Sequence, residues 1–236
     1  LNSLIRSIKF LKNKYPTINV KTIIVDDNST AENLNSIKKV IDGNNIEVIN
    51  LDYSKYKKEI SEQKNKETFA NLASLLKCFE IGKKKGEDLI FFIEDDYLFE
   101  KYCLEEMLLT FARLSTILEE DVIMCPSDYS FFYDSLYSTN LFIGKDYRWR
   151  IVGETLLTFM FSKKTFKKNK LTIRKVGETI NDPFEKPLHD LYKKKTCLAP
   201  VSTLSYHISR GVPSVNEDWI SLWNECFKKY KNSIQQ

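Results

Sequence analysis

LIFFIEDDYLF, residues 89–99, is the stretch on which the reading of the chain turns. A run of apolar residues, 89–93, predicts a strand buried on both faces, and it stops abruptly at Glu94-Asp95-Asp96. KTIIVDDNST, residues 21–30, has the same construction: a short β-branched run that ends in Asp26-Asp27. Adjacent carboxylates repel one another unless a cation or hydrogen-bond donors neutralise them. One account of both clusters is therefore solvated strand ends that cap the next helix. The other is a divalent-metal site, since hard oxygen ligands suit Mg²⁺ or Mn²⁺, which keep positions open for water and phosphate oxygens.

Outward from these strands, helical and extended periods alternate. Leu4, Ile5, Ile8, Leu11 and Tyr15 predict a helix closed by Pro16. Leu34, Ile37 and Ile41 predict a second, ending near Gly43 with Ser29 or Thr30 as its N-cap. IEVINL, 46–51, reads as a strand, and a polar, lysine-rich stretch runs on to Lys66. Phe69, Leu72, Ala73, Leu76, Phe79 and Ile81 predict a helix stopped by Gly82 and the Lys83-Lys84-Lys85-Gly86 tail. Beyond the acids come a helix over 104–118, a strand over 121–125, an irregular aromatic segment over 126–150, and strand-like runs at 156–161 and 197–208. Such alternation predicts an α/β domain with a mixed, mostly parallel sheet flanked by helices, parallel at least through Ile93, with ligands at the carboxyl ends of its strands.

The 236 residues suit one domain with a sizeable core, and no Ser/Gly/Pro-rich linker or internal repeat divides them. With 42% hydrophobic residues, 7 Gly and 6 Pro, the composition excludes disordered, collagen-like and low-complexity chains. Lys+Arg 36 against Asp+Glu 32 leaves +4, too mild for a nucleic-acid binder. Five scattered cysteines, none in a CxxC pair, read as reduced thiols and a cytoplasmic setting. No apolar run is long enough for a spanning helix, so membrane association, if any, is expected to be peripheral. The lysine runs 83–85, 163–170 and 193–195 are expected to be solvated faces with a weak attraction for anionic lipid. Since the sequence enters a helical pattern at Leu1, a first strand is expected upstream of it.

KTIIVDDNST followed by NKETFANLASLLKCFEIGKKKGEDLIFFIEDD (65–96) resembles the nucleotide-sugar-binding half of GT-A glycosyltransferases, especially the large family 2 class. The EDD form with Tyr97-Leu98-Phe99 after it is also similar to the GT-A N-acetylglucosaminyltransferases. The resemblance covers residues 1–118 well and implies a nucleotide-sugar-binding half there, with an acceptor-binding half over 119–236. It implies metal-dependent transfer, with inversion, of a hexose or N-acetylhexosamine from a UDP-linked donor to a glycan, lipid-linked or protein acceptor. By position, Asp27 would contact the base, with Asn71 beside it. Asp95 would lie at the ribose and metal, and Asp96 would coordinate the Mn²⁺ or Mg²⁺ under the diphosphate.

Downstream, PLHDLYKKKTCLAPVSTLSYHISRG, 187–211, has the layout in which that family carries its base and sometimes a metal-proximal histidine. The resemblance makes Asp190 the candidate base, at the start of a helical run, and His207 a metal or diphosphate ligand. Asp190 could instead cap a helix or pair with Lys193 or Lys194, and His207 could be a hydrogen-bonded strand-end histidine. Glu154 and Glu178, each after a glycine, are rival bases. The aromatic segment from Tyr129 through Tyr137 to Trp149 would line an acceptor site, form a lid or face the core. Arg148 and Arg150 would clamp an anion.

Three other functions fit parts of the pattern. Both acidic strand ends resemble a response-regulator receiver, but no lone acceptor aspartate stands at the required later strand end. A nucleotidyltransferase shares metal-held nucleotides but needs a glycine-rich phosphate loop, which these residues do not contain. A non-catalytic carbohydrate-binding protein has no need of acids at both strand ends.

Overall fold

The computed structural model describes residues 1–61, 65–136, 138–208 and 219–234, with side chains through 228. Tyr137 and residues 209–211, the end of the downstream motif, lie outside the described residues. Helix α1 (Asn2–Lys14) buries Leu4, Ile5 and Leu11 and ends with Lys12 and Lys14, whose charges suit a helix carboxyl terminus. Strands β1 (Thr22–Asp26) and β2 (Ile46–Asn50) pair in parallel, with Asp26 opposite Asn50. Between them runs α2 (Ala31–Ile41), and of the two expected caps it is the Thr30 hydroxyl that accepts the Asn33 amide, at 3.3 Å. Ser29 instead donates its amide to the Asp26 carboxylate, at 3.2 Å.

Helix α3 (Lys66–Lys85) runs through Gly82 and the three lysines and is closed by Gly86, the last residue of the expected stop. Gly82 serves packing: a Cβ there would stand 2.8 Å from Phe92 Cζ, so its absence lets α3 press onto the next strand. That strand is β3 (Leu89–Phe92), followed by β4 (Tyr97–Phe99), α4 (Cys103–Ile117) and β5 (Ile123–Met124). Strands β6 (Leu141–Ile143), β7 (Arg148–Ile151) and β8 (Phe159–Ser162) lead into α5 (Lys163–Glu178). Then come α6 (Lys186–Tyr192), β9 (Cys197–Val201), β10 (Ser205–His207) and α7 (Trp219–Ile234).

The main sheet has the order β3-β8-β5-β9-β7-β6. Strands β5 and β9 pair in parallel and the other neighbours antiparallel, so β3, β5, β9 and β6 point one way and β8 and β7 the other. The fold is thus mixed α/β, with most strands of its central sheet sharing a direction. The expected parallel run from β1 through β3 is not continuous, because β1 and β2 form a separate two-stranded sheet. The neighbour of β3 is β8, whose four residues are all buried and therefore take an interior position between β3 and β5.

The segment expected to be irregular contains the β6–β7 hairpin, and Tyr129, Phe132 and Trp149 belong to the core rather than to a solvent-facing lid. A buried carboxylate organises the hairpin's turn. Glu106 accepts the amides of Lys145, Asp146 and Tyr147 at 3.2, 2.9 and 3.3 Å, together with the Trp149 indole at 3.0 Å and the Thr110 hydroxyl at 2.8 Å. Arg150 is also buried, paired with Asp128 and lying over the rings of Phe132 and Tyr133 at 4.7 and 4.4 Å. It is committed to that contact, which leaves only Arg148 exposed of the expected pair.

Lys163 departs from the expected solvated run. Its ammonium donates to the carbonyls of Gly82 and Gly86, at 2.8 and 2.9 Å, and so closes the carboxyl end of α3. Cys78, Cys103, Cys125 and Cys197 are free thiols. Among the described residues, no helix is long and apolar enough to cross a membrane.

Candidate active site

Strand β3 ends where the chain must turn, and the acids 94–96 occupy that turn. The chain then re-enters as β4, which pairs antiparallel with β10 and sets His207 opposite Tyr97. The Ile208 amide donates to the Asp96 carbonyl, at 2.9 Å, and extends the pairing by one residue. His207 is thereby delivered to Asp96, with its Nε2 3.0 Å from Oδ2 and its ring against that of Tyr97 at 4.9 Å between centroids. The other carboxylate oxygen, Asp96 Oδ1, is buried with no hydrogen-bond partner. The Asp96 side chain as a whole is 43% exposed, so the carboxylate is open to a cation or donor from solvent while Oδ1 lacks a protein donor.

Glu94 lies behind this pair. Its carboxylate accepts the Leu157 amide at 3.2 Å, and its own amide donates to the Thr158 hydroxyl at 3.0 Å, tying it to the loop that enters β8. Burial pushes the Glu94 carboxyl up to about 7, and the negative charge of Asp96 adds to the shift while His207 opposes it. Glu185, the N-cap residue of α6, acts on the same group. Burial raises the Glu185 carboxyl too, with His189 and His207 pulling it back. His189 holds the loop before β8, its Nε2 being 3.0 Å from the Thr155 carbonyl oxygen. The charges of Asp96, His207 and Glu185 thus all act on Glu94, and those of His189 and His207 on Glu185, which links the turn after β3 to the start of α6 and to β10.

Of the residues expected from sequence, the structure brings Asp96 and His207 into contact. Asp95 is exposed. Asp27 is exposed, and its carboxyl is raised by partial burial and by Asp26 against the pull of Asn28 and Lys66. Asn71 is exposed on α3. Asp190 falls in the last turn of α6, not at its start, where the helix dipole would have favoured a carboxylate. It is exposed and pairs with Lys193 at 2.7 Å, and this contact holds its carboxyl below the usual value. Of the rival bases, Glu154 is exposed, and Glu178 is bound to Arg174 at 2.6 Å.

Chain order points to the histidine-aspartate pair at 189–190 and passes over Glu185, four residues before it. Its signal was the proline at the second helical position: Pro187 marks a helix amino terminus there and places Glu185 at the cap. Among the described residues, no group of three or more His, Cys, Asp or Glu side chains converges in metal-binding geometry. The residues nevertheless fit a divalent ion held on one side only. Asp96 Oδ1 offers a free buried oxygen, His207 adjoins it, and the remaining positions would fall to phosphate oxygens and water.

No protein-family model matches the chain. No curated protein matches it either. Among solved structures it is similar to the crystal structure of apo UDP-glucose pyrophosphorylase, with a TM-score of 0.47 and 10% identity over 98% of this chain and 86% of that one.

Proposed function

We propose that the chain is a GT-A-like, metal-dependent glycosyltransferase that moves a hexose or N-acetylhexosamine, with inversion, from a UDP-linked donor to an acceptor hydroxyl. The observation that carries this reading is the Asp96–His207 contact with Asp96 Oδ1 left buried and unpartnered beside it. Asp96 and His207 would hold Mn²⁺ or Mg²⁺, which when bound supplies positive charge against the departing diphosphate. His207 fixes the Asp96 carboxylate through Oδ2 and leaves Oδ1 for the ligand. Glu94 anchors the adjoining loop through Leu157 and Thr158, which keeps the Asp96 turn in place.

Glu185 takes the role that chain order had suggested for Asp190. The charge of His207 acts on it and its own charge acts on Glu94, and its raised affinity for a proton suits a group that must accept one near neutrality. In the transfer, the acceptor oxygen forms a bond to the anomeric carbon and its proton passes to Glu185. The bond between the anomeric carbon and the diphosphate oxygen breaks, and the electron pair leaves with UDP. Asp27, Asn71 and Asp95 are proposed as contacts to base and ribose on the resemblance alone.

Product analysis tests the reaction class. Incubation with UDP-sugars and Mn²⁺ should release UDP, slowly with water as acceptor, and the release should stop with EDTA. Formation of UTP from a UDP-sugar and pyrophosphate would show attack at phosphorus instead and overturn glycosyl transfer.

A further inference from the structure

Helix α7 presents two faces. Leu222 and Cys226 are buried against Leu98 of β4 and Tyr206 of β10, the strands that carry the ends of the Asp96–His207 pair. Beside that buried face Trp219, Trp223 and Phe227 follow one another at four-residue steps, one stripe along the helix with Ile220 next to it, and Trp223 and Phe227 border a groove against Ile37 and Val40 of α2. Between 40% and 56% of the surface of each of these four is exposed. The chain has three tryptophans; Trp149 is wholly buried, so the other two stand together on this stripe.

We infer that this face of α7 docks on an anionic lipid surface. Tryptophan is the side chain that favours the boundary between headgroups and acyl chains, where its ring is half dry and its N–H stays hydrated. The helix is also basic: Lys228, Lys229 and Lys231 follow the aromatic stripe in sequence, and exposed Lys38 and Lys39 lie on α2, the helix packed beside α7. Its single acid, Glu225, is tied to Arg6 of α1 at 2.5 Å. A half-exposed aromatic stripe with exposed Lys228, Lys38 and Lys39 around it has the composition of an interfacial surface, attracted by anionic headgroups and held by its apolar side chains. A second copy of the chain is a poorer fit. Three aromatic side chains, each less than half exposed, offer about 300 Å², whereas a stable protein interface takes about 800 Å² from each partner.

The test uses the full chain with vesicles of phosphatidylcholine alone or mixed with phosphatidylglycerol. The chain should sediment with the mixed vesicles and far less with phosphatidylcholine alone, and the tryptophan emission should shift to the blue and be quenched by brominated acyl chains. The double variant Trp219→Ser/Trp223→Ser should lose roughly tenfold or more in vesicle affinity. Lys228→Glu, an exposed substitution that leaves the packed face intact, should weaken binding to the mixed vesicles in the same direction. Sedimentation without quenching would assign the attraction to lysines elsewhere and overturn the inference, as would a wild-type dimer in which the stripe is already shielded without lipid. Asp96→Asn should leave vesicle binding unchanged, so this inference and the proposed transfer fail separately.

Discussion

His207 Nε2 lies 3.0 Å from Asp96 Oδ2 although the two residues stand 111 positions apart, and the antiparallel pairing of β4 with β10 is what brings them together. The histidine holds one carboxylate oxygen and leaves the other buried and unpartnered. Removing that support should cost metal affinity without emptying the core, since His207 sits at a strand's end. His207→Ala is expected to weaken Mn²⁺-supported UDP binding roughly 10–100-fold. A fluorescence titration giving the wild-type affinity would place the metal away from this pair.

Glu94 makes stability depend on pH in a direction opposite to that of a salt-bridged carboxylate. Its carboxyl is raised from 4.5 to about 7, so the folded state holds the proton more tightly than the unfolded chain. The associated stability is fully present below pH 4.5 and is lost as pH rises through about 7. The loss amounts to at most ~3 kcal/mol. Urea melts across that window should show the decline in the wild type and a flatter profile in Glu94→Gln, which should be the more stable of the two at pH 8. Parallel profiles would mean that Glu94 is not buried as described.

Glu185 and Asp190 make opposite predictions for turnover. Glu185→Gln should lower it by about 10²–10⁴-fold with UDP affinity nearly unchanged, the signature of a lost general base. Asp190→Asn should remove only an exposed pair with Lys193 and stay within a few fold of wild type. Because a base must be ionised to act, and burial raises the Glu185 carboxyl, wild-type turnover should climb with pH through a value above the usual carboxylate range. An inactive Asp190→Asn beside an active Glu185→Gln would reverse the assignment.

The Glu106 turn supplies a prediction about the fold alone. Glu106→Ala would leave three amides, an indole and a hydroxyl without their acceptor in a buried site. A loss of about 3–5 kcal/mol is expected, read from denaturant midpoints. Gly144→Ala should also destabilise, because a Cβ there would run into Thr110 and Trp149.

Local signals carried the strands and helices, because the residues that decide them lie a few positions apart. The apolar run before Glu94, the Thr30 cap and the burial of Leu72 and Leu76 on α3 are of this kind. Gly82 and Gly86 look alike in sequence, yet the first admits a neighbouring strand and the second ends the helix, a difference that only the neighbour reveals. Trp149 and the aromatic residues before it gave no usable period, because their order comes from Glu106 and Asp128, remote acids that hold the turn and Arg150. At the site, strand-end chemistry pointed to Asp96, and the downstream resemblance to His207. Their contact, and the reach of the Glu185 charge to Glu94, depend on how β10 and α6 are placed, which no local pattern encodes.

Calorimetric titration of UDP into the wild type and Asp96→Asn, each with Mn²⁺ and with EDTA, tests the central claim most directly. The account predicts measurable binding to the wild type with Mn²⁺, a loss of at least tenfold with EDTA, and binding to Asp96→Asn that no longer responds to the metal while the variant melts cooperatively. Equal UDP affinity in all four titrations, or none in any of them, would contradict it.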